Sequence, residues 1–181
     1  MNSKGFTLVE LAIVLVIIGL LIGGILKGQQ LIKQAKIKRL VKMSDEIRAA
    51  WNAFYDKYNL IPGDENNTSL PPGDGHNGNG NGYIDGNERF YVFEDLAKAG
   101  LISGDYDGTN LPKHPFGGNV DVYYATYNGK TAHWIRFFNV PAEVCYQIDL
   151  KYDDGKYNSG SIQGNRDYSN RTGTSNLYIE L

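Results

Sequence analysis

The sequence predicts an α+β protein, in which a long N-terminal helical spine carries a globular head with a small antiparallel β-sheet. Three observations carry this prediction. An apolar run near the N-terminus continues without a proline into a segment whose apolar residues recur every three or four positions. A stretch rich in Pro, Gly, Asn and Asp then breaks the helical pattern over residues 61–87. Beyond it, two runs of β-branched and aromatic residues flank Asn128-Gly129, a strong short-range hairpin signal.

The spine comes first. Residues 6–26 are apolar or small apart from Glu10 and Thr7. At about 1.5 Å per residue, a helix of this length spans ~30 Å, the thickness of a bilayer's hydrocarbon core. A secretory signal would have a shorter apolar core, about 7–15 residues, closed by a small-residue cleavage site. Nothing of that kind follows Leu26, and the next proline is Pro62. Leu40, Met43, Ile47, Trp51, Phe54 and Tyr58 mark one helical face. The helix is therefore expected to run unbroken to Tyr58, roughly 80 Å in all. It divides into an apolar half, residues 6–27, and an amphipathic half, residues 28–58, that can pack on a head formed by residues 59–181. Gly23, Gly24 and Gly28 lie near its middle. Glycine disfavours helix by about 1 kcal/mol relative to alanine, which marks residues 23–28 as a place where the helix could loosen.

Charge separates the same two parts. Formal net charge is −2, but residues 1–42 hold seven basic residues against Glu10 alone, a net +6, leaving −8 for the rest. So acidic a head argues against nucleic acid as a partner. His76, His114 and His133 are scattered, and the single cysteine, Cys145, reads as a small buried hydrophobe. Neither a nucleophile with its base nor a histidine-rich metal site is legible, so no enzymatic activity is expected.

Glu10 is the anomaly. A carboxylate in hydrocarbon costs about 2.5–3.5 kcal/mol on insertion scales and is rare unless something uses it. The run Lys4-Gly5-Phe6-Thr7-Leu8-Val9-Glu10 and the apolar residues behind it resemble the prepilin signature of type IV pilins and type II secretion pseudopilins. That resemblance implies that residues 1–5 are a leader removed by a prepilin peptidase. The cut would fall between Gly5 and Phe6, and the new N-terminal Phe6 would be N-methylated. It also makes Glu10 the assembly residue, meeting the Phe6 amine of a neighbouring subunit in the filament. Two buried opposite charges can then satisfy each other where one alone is costly.

By the same resemblance, the precursor sits in the bacterial inner membrane. The inner-membrane assembly machinery then builds it into a homopolymer, an extracellular or cell-surface filament, with the helices in the core and the heads outside. A periplasmic pseudopilus of a type II secretion system is the alternative destination. A minor tip pilin binding a surface or substrate is another. Charge alone would orient the span differently: only Lys4 precedes it and six basic residues follow, which the positive-inside rule reads as the opposite topology.

The loop at residues 77–88, NGNGNGYIDGNE, follows the twelve-position pattern of an EF-hand calcium loop. Asn77, Asn79 and Asn81 fall at the first three side-chain ligand positions, and Gly82 at the turn. Tyr83 offers its carbonyl, Ile84 the apolar anchor, Asp85 a water-mediated contact and Glu88 the bidentate carboxylate. Only Asp85 and Glu88 are charged, so calcium would bind weakly, in the ~10⁻⁴–10⁻³ M range of extracellular modules. The metal-free alternative is a loop stiffened by Asx turns.

A helix over residues 88–99 should follow, with Phe90, Phe93, Leu96 and Ala97 on one face and Gly100 as the stop. Residues 120–138 are expected to form the hairpin, residues 141–150 another helix and residues 175–181 a last strand. Asp149, Asp153 and Asp154 cluster where that second helix should end. Carboxylates there oppose the helix dipole, and a cation would relieve them; Asp-Asp-Gly is also ordinary turn chemistry.

Overall fold

The computed structural model describes residue 5, residues 7–67 and residues 69–181, so Lys4 and Phe6 lie outside the described residues. The element order is α1 (Leu8–Tyr58), α2 (Glu88–Lys98), β1 (Val120–Tyr127), β2 (Lys130–Pro141), α3 (Ala142–Tyr152), β3 (Ile162–Gly164) and β4 (Thr174–Glu180). This is the expected α+β plan: one long helix followed by a head built on a small antiparallel sheet. The chain divides into two units, residues 1–38 and residues 39–181, and α1 contributes to both.

In the first unit α1 is unbroken, including residues 23–28. Its apolar side chains from Leu8 to Ile32 are bare: Leu8 is 86% exposed and Leu20 73%. Its apolar stretch is long and hydrophobic enough to cross a membrane, with a mean hydropathy of 2.8.

In the second unit the remainder of α1 turns Leu40, Ile47, Ala50, Trp51 and Phe54 into the core. Full burial of a side chain such as Phe54 stabilises by about 1.5–3 kcal/mol. Trp51 packs against the His133 ring at 5.3 Å, and Arg48 donates to the Glu180 carbonyl at 2.7 Å. The helix therefore lies against β2 and β4. Between Arg39 and Glu46, and between Arg48 and Asp45, ion pairs line its exposed side.

The sheet has strand order β1-β2-β4-β3, antiparallel throughout. Asn128 and Gly129 both have positive φ, +46° and +85°, as the two-residue hairpin turn requires. Side chains alternate along β2, so His133, Ile135 and Phe137 share the face that meets Trp51. Their cross-strand partners Val122, Val120, Leu177 and Ile179 extend the same apolar layer. The other face carries Trp134 and Arg136. Arg136 makes a bidentate ion pair with Asp121, Nε to Oδ1 at 2.6 Å and Nη2 to Oδ2 at 2.5 Å, and also donates to the Tyr127 hydroxyl. Its guanidinium lies 4.2 Å from the Tyr123 ring centre.

Three local expectations are revised. The short strand β3 was not expected; three residues are too few to show an alternating pattern. The first head helix ends at Lys98, with Gly100 at φ +75° behind it, and its buried face, which includes Phe93 and Leu96 as expected, is differently bounded. Residues 92–96 are buried in succession, with Glu94 and Asp95 among them, while Phe90 and Ala97 are only half-buried. The segment 63–76 covers this side of α2 and pulls the acids inward: Gly63 N–H donates to Asp95 Oδ2 at 2.6 Å, and Gly75 N–H to Glu94 Oε1 at 3.1 Å. Gly63 has φ +86°, and a Cβ there would meet Val92 Cγ2 at 2.6 Å, so no other residue allows the approach.

Cys145 is fully buried on α3, and burial pushes its thiol up to about 12. The folded chain should therefore resist thiol alkylation at pH 8, with denaturation raising the rate by at least about a hundredfold. Mass spectrometry after timed iodoacetamide treatment checks this; rapid labelling of the native chain would contradict the packing around α3.

Candidate assembly and cation-binding sites

Thr7 and Glu10 stand at the start of α1. Thr7 N–H donates to Glu10 Oε2 at 2.8 Å, and Glu10 N–H donates to Thr7 Oγ1 at 3.2 Å. This is a reciprocal capping box, T-x-x-E, which satisfies two of the amides that a helix N-terminus leaves free. The Thr7 hydroxyl also bonds Oε2, at 2.8 Å. In a single chain the carboxylate thus has a local task and sits exposed at the positive end of the helix dipole. The spacing was visible in the sequence as Thr7-Leu8-Val9-Glu10. Gly5 is exposed just before the cap, and a Cβ added there would meet no atom within 4 Å. The Phe6 assignment lies outside the described residues.

The loop at residues 77–88 is closed by hydrogen bonds. Asn79 Oδ1 accepts from Asn81 N–H at 3.0 Å, and Asn81 Oδ1 from Tyr83 N–H at 2.8 Å, which are the Asx turns of the metal-free alternative. Glu88 accepts Asn79 N–H on Oε1 and Asp85 N–H on Oε2, each at 2.9 Å. Asp85 Oδ2 accepts from the Asn81 amide. Ile84 is buried as the apolar anchor, its carbonyl bonded to Tyr124 N–H.

The sequence reading missed Asp64. Its Oδ1 accepts Asn81 N–H at 3.0 Å and its Oδ2 accepts Gly82 N–H at 2.7 Å, so it supplies the carboxylate that Asn77 cannot. Its distance of 17 residues from Asn81 hid it from any twelve-residue pattern. A calcium ion here would have to share both Glu88 oxygens with backbone amides. Among the described residues, neither of the two acidic trios whose oxygens approach within 4.8 Å includes Asp85 or Glu88.

Asp149, Asp153 and Asp154 do form one of those trios, at the end of α3. Their oxygens are largely engaged. Asp149 accepts from Gly155 N–H and from the Tyr168 hydroxyl. Asp153 Oδ2 accepts from the Ser161 and Ile162 amides, and Asp154 from Lys156 N–H and the Ser159 hydroxyl. The cluster fastens the segment after α3 to the helix end.

Residues 1–26 match the family model described as the prokaryotic N-terminal methylation motif, the prepilin motif of type IV pilins and pseudopilins. No curated protein and no solved structure matches the chain. The motif thus ends within the apolar part of α1, and the head stands on its own geometry.

Proposed function

We propose that this chain is a structural subunit of a type IV pilus-like extracellular filament that polymerises through its N-terminal helix. The observation that carries the reading is the methylation motif at residues 1–26 standing at the head of a helix whose apolar side chains are bare from Leu8 to Ile32. Such a surface needs lipid or other copies of itself to cover it. In the precursor, lipid covers it; in the filament, neighbouring helices do.

Assembly would give Glu10 a second partner beside its own Thr7. Both hydrogen bonds that the Glu10 carboxylate accepts from Thr7 use Oε2, which leaves Oε1 able to accept from the Phe6 amine of a neighbour once cleavage has created that amine. The head coats the filament, and its ion pairs and compact sheet suit an exposed surface.

Intact-mass measurement of the chain recovered from cells tests the reading. The expected mature form begins at Phe6 and carries one added methyl group. A chain that keeps Met1 to Gly5, or is cut elsewhere, would rule the proposal out.

A further inference from the structure

Three carboxyls that are far apart in sequence meet beneath α2. Glu65 and Asp74 come from the segment after α1, and Asp95 comes from α2. One oxygen of each lies within 4.8 Å of one from both others. Glu65 is 1% exposed, Asp95 0%, and Asp74 is half-buried.

Each carboxyl is held by a backbone amide on one oxygen only. Asn67 N–H donates to Glu65 Oε2 at 2.8 Å, His76 N–H to Asp74 Oδ1 at 3.3 Å, and Gly63 N–H to Asp95 Oδ2 at 2.6 Å. The second oxygens, Glu65 Oε1, Asp74 Oδ2 and Asp95 Oδ1, are buried and meet no hydrogen-bond donor among the described residues; the carboxyl against both Glu65 and Asp95 is that of Asp74. Buried polar atoms nearly always have a partner, so three orphans on neighbouring carboxyls require an explanation. Among the described residues, no lysine or arginine forms an ion pair with them. Burial, reinforced by the neighbouring acids, pushes Glu65 up to about 7 and Asp95 to about 9, the mark of a site short of positive charge.

We infer that Glu65, Asp74 and Asp95 bind a calcium ion that fastens the segment after α1 to α2. The orphan oxygens supply three carboxylate ligands, and half-buried Asp74 gives the ion a way in. Calcium is the cation that an all-protein set of carboxylate oxygens suits, because magnesium keeps several of its waters and is seldom held by a dedicated protein cage. The inference concerns the head alone and does not depend on filament formation. It is also distinct from the loop at residues 77–88, whose Glu88 takes no part.

Calcium titration of the full chain in detergent micelles tests it, read as bound calcium and as melting temperature in calcium against a chelator. The wild type should melt roughly 5–10 °C higher at calcium about 100-fold above its Kd. Asp74→Asn should weaken binding by about tenfold or more, and Glu88→Gln should leave it unchanged. Asp95→Asn should abolish the calcium response and melt no lower than wild type in chelator; if it fails to fold, Asp74→Asn decides. A wild type indifferent to calcium would mean that the carboxyls share protons instead, and would overturn the inference. So would binding that survives Asp74→Asn but is lost in Glu88→Gln.

Discussion

Glu10→Gln is expected to insert and be cleaved normally yet to lose nearly all filament. The substitution separates two roles. Glutamine retains a side-chain oxygen in the position that accepts Thr7 N–H at 2.8 Å, so the capping box persists. It lacks the charge that would pair with a neighbour's Phe6 amine. Leaving that amine buried without its partner costs about 3–5 kcal/mol per contact, which is roughly a hundred- to thousandfold in each association constant. Glu10→Ala should behave the same way, with an added loss of about 0.3–1 kcal/mol at the helix N-terminus. Sheared-fraction immunoblots beside whole-cell blots for the cleaved chain give the comparison. Normal filament from Glu10→Gln, with loss in Glu10→Ala, would reduce Glu10 to a helix cap.

The largest effect expected on the head itself comes from Asp121→Ala. Asp121 is 1% exposed and takes both arms of the Arg136 guanidinium. Removing it strands a nearly buried cation, at a cost of about 3–5 kcal/mol. For a head of this size that lowers the melting temperature by roughly 10–20 °C. Arg136→Met in the same chain should restore most of the loss, because an unpaired charge is worse than no charge. Circular dichroism melts of the two variants in the same micelles decide the point. A single variant that melts like wild type would mean that water reaches the guanidinium and that the stack on Tyr123 does the holding.

The parts of the fold that were legible in the sequence are those set by local signals. The spine was readable because apolar spacing and the absence of proline are properties of one continuous segment. The hairpin was readable because Asn128-Gly129 dictates its own backbone. By contrast, β3 exists because Ile162 finds Ile179 and Gln163 finds Tyr178 across the sheet, a pairing no short window contains. The buried face of α2 was legible at Phe93 and Leu96 but not at the acids between them, for a related reason. Val92 to Leu96 look half polar by composition, and Asp95 turns inward only because Gly63, 32 residues earlier, presents an amide to it.

The candidate sites follow the same division. Gly5, Phe6 and Glu10 stand in one contiguous stretch, so a single short window contains all three. The calcium pattern drew attention to Asn77, Asn79, Asn81, Tyr83, Asp85 and Glu88. The structure then added Asp64 to that loop from outside it and gathered Glu65, Asp74 and Asp95 elsewhere. Acidic residues scattered over thirty positions carry no spacing rule, so only the folded backbone reveals that their oxygens converge.

The central claim is that Glu10 pairs with the N-terminal amine of a second copy of the chain in addition to its own Thr7. A reconstruction of purified filaments at a resolution that shows side chains tests it most directly. The account predicts the N-terminal helices in the core, with the Phe6 amine of one subunit within ion-pair distance of the Glu10 carboxylate of another. A filament of this chain in which Glu10 remains on Thr7, with no neighbouring amine beside it, would contradict the account.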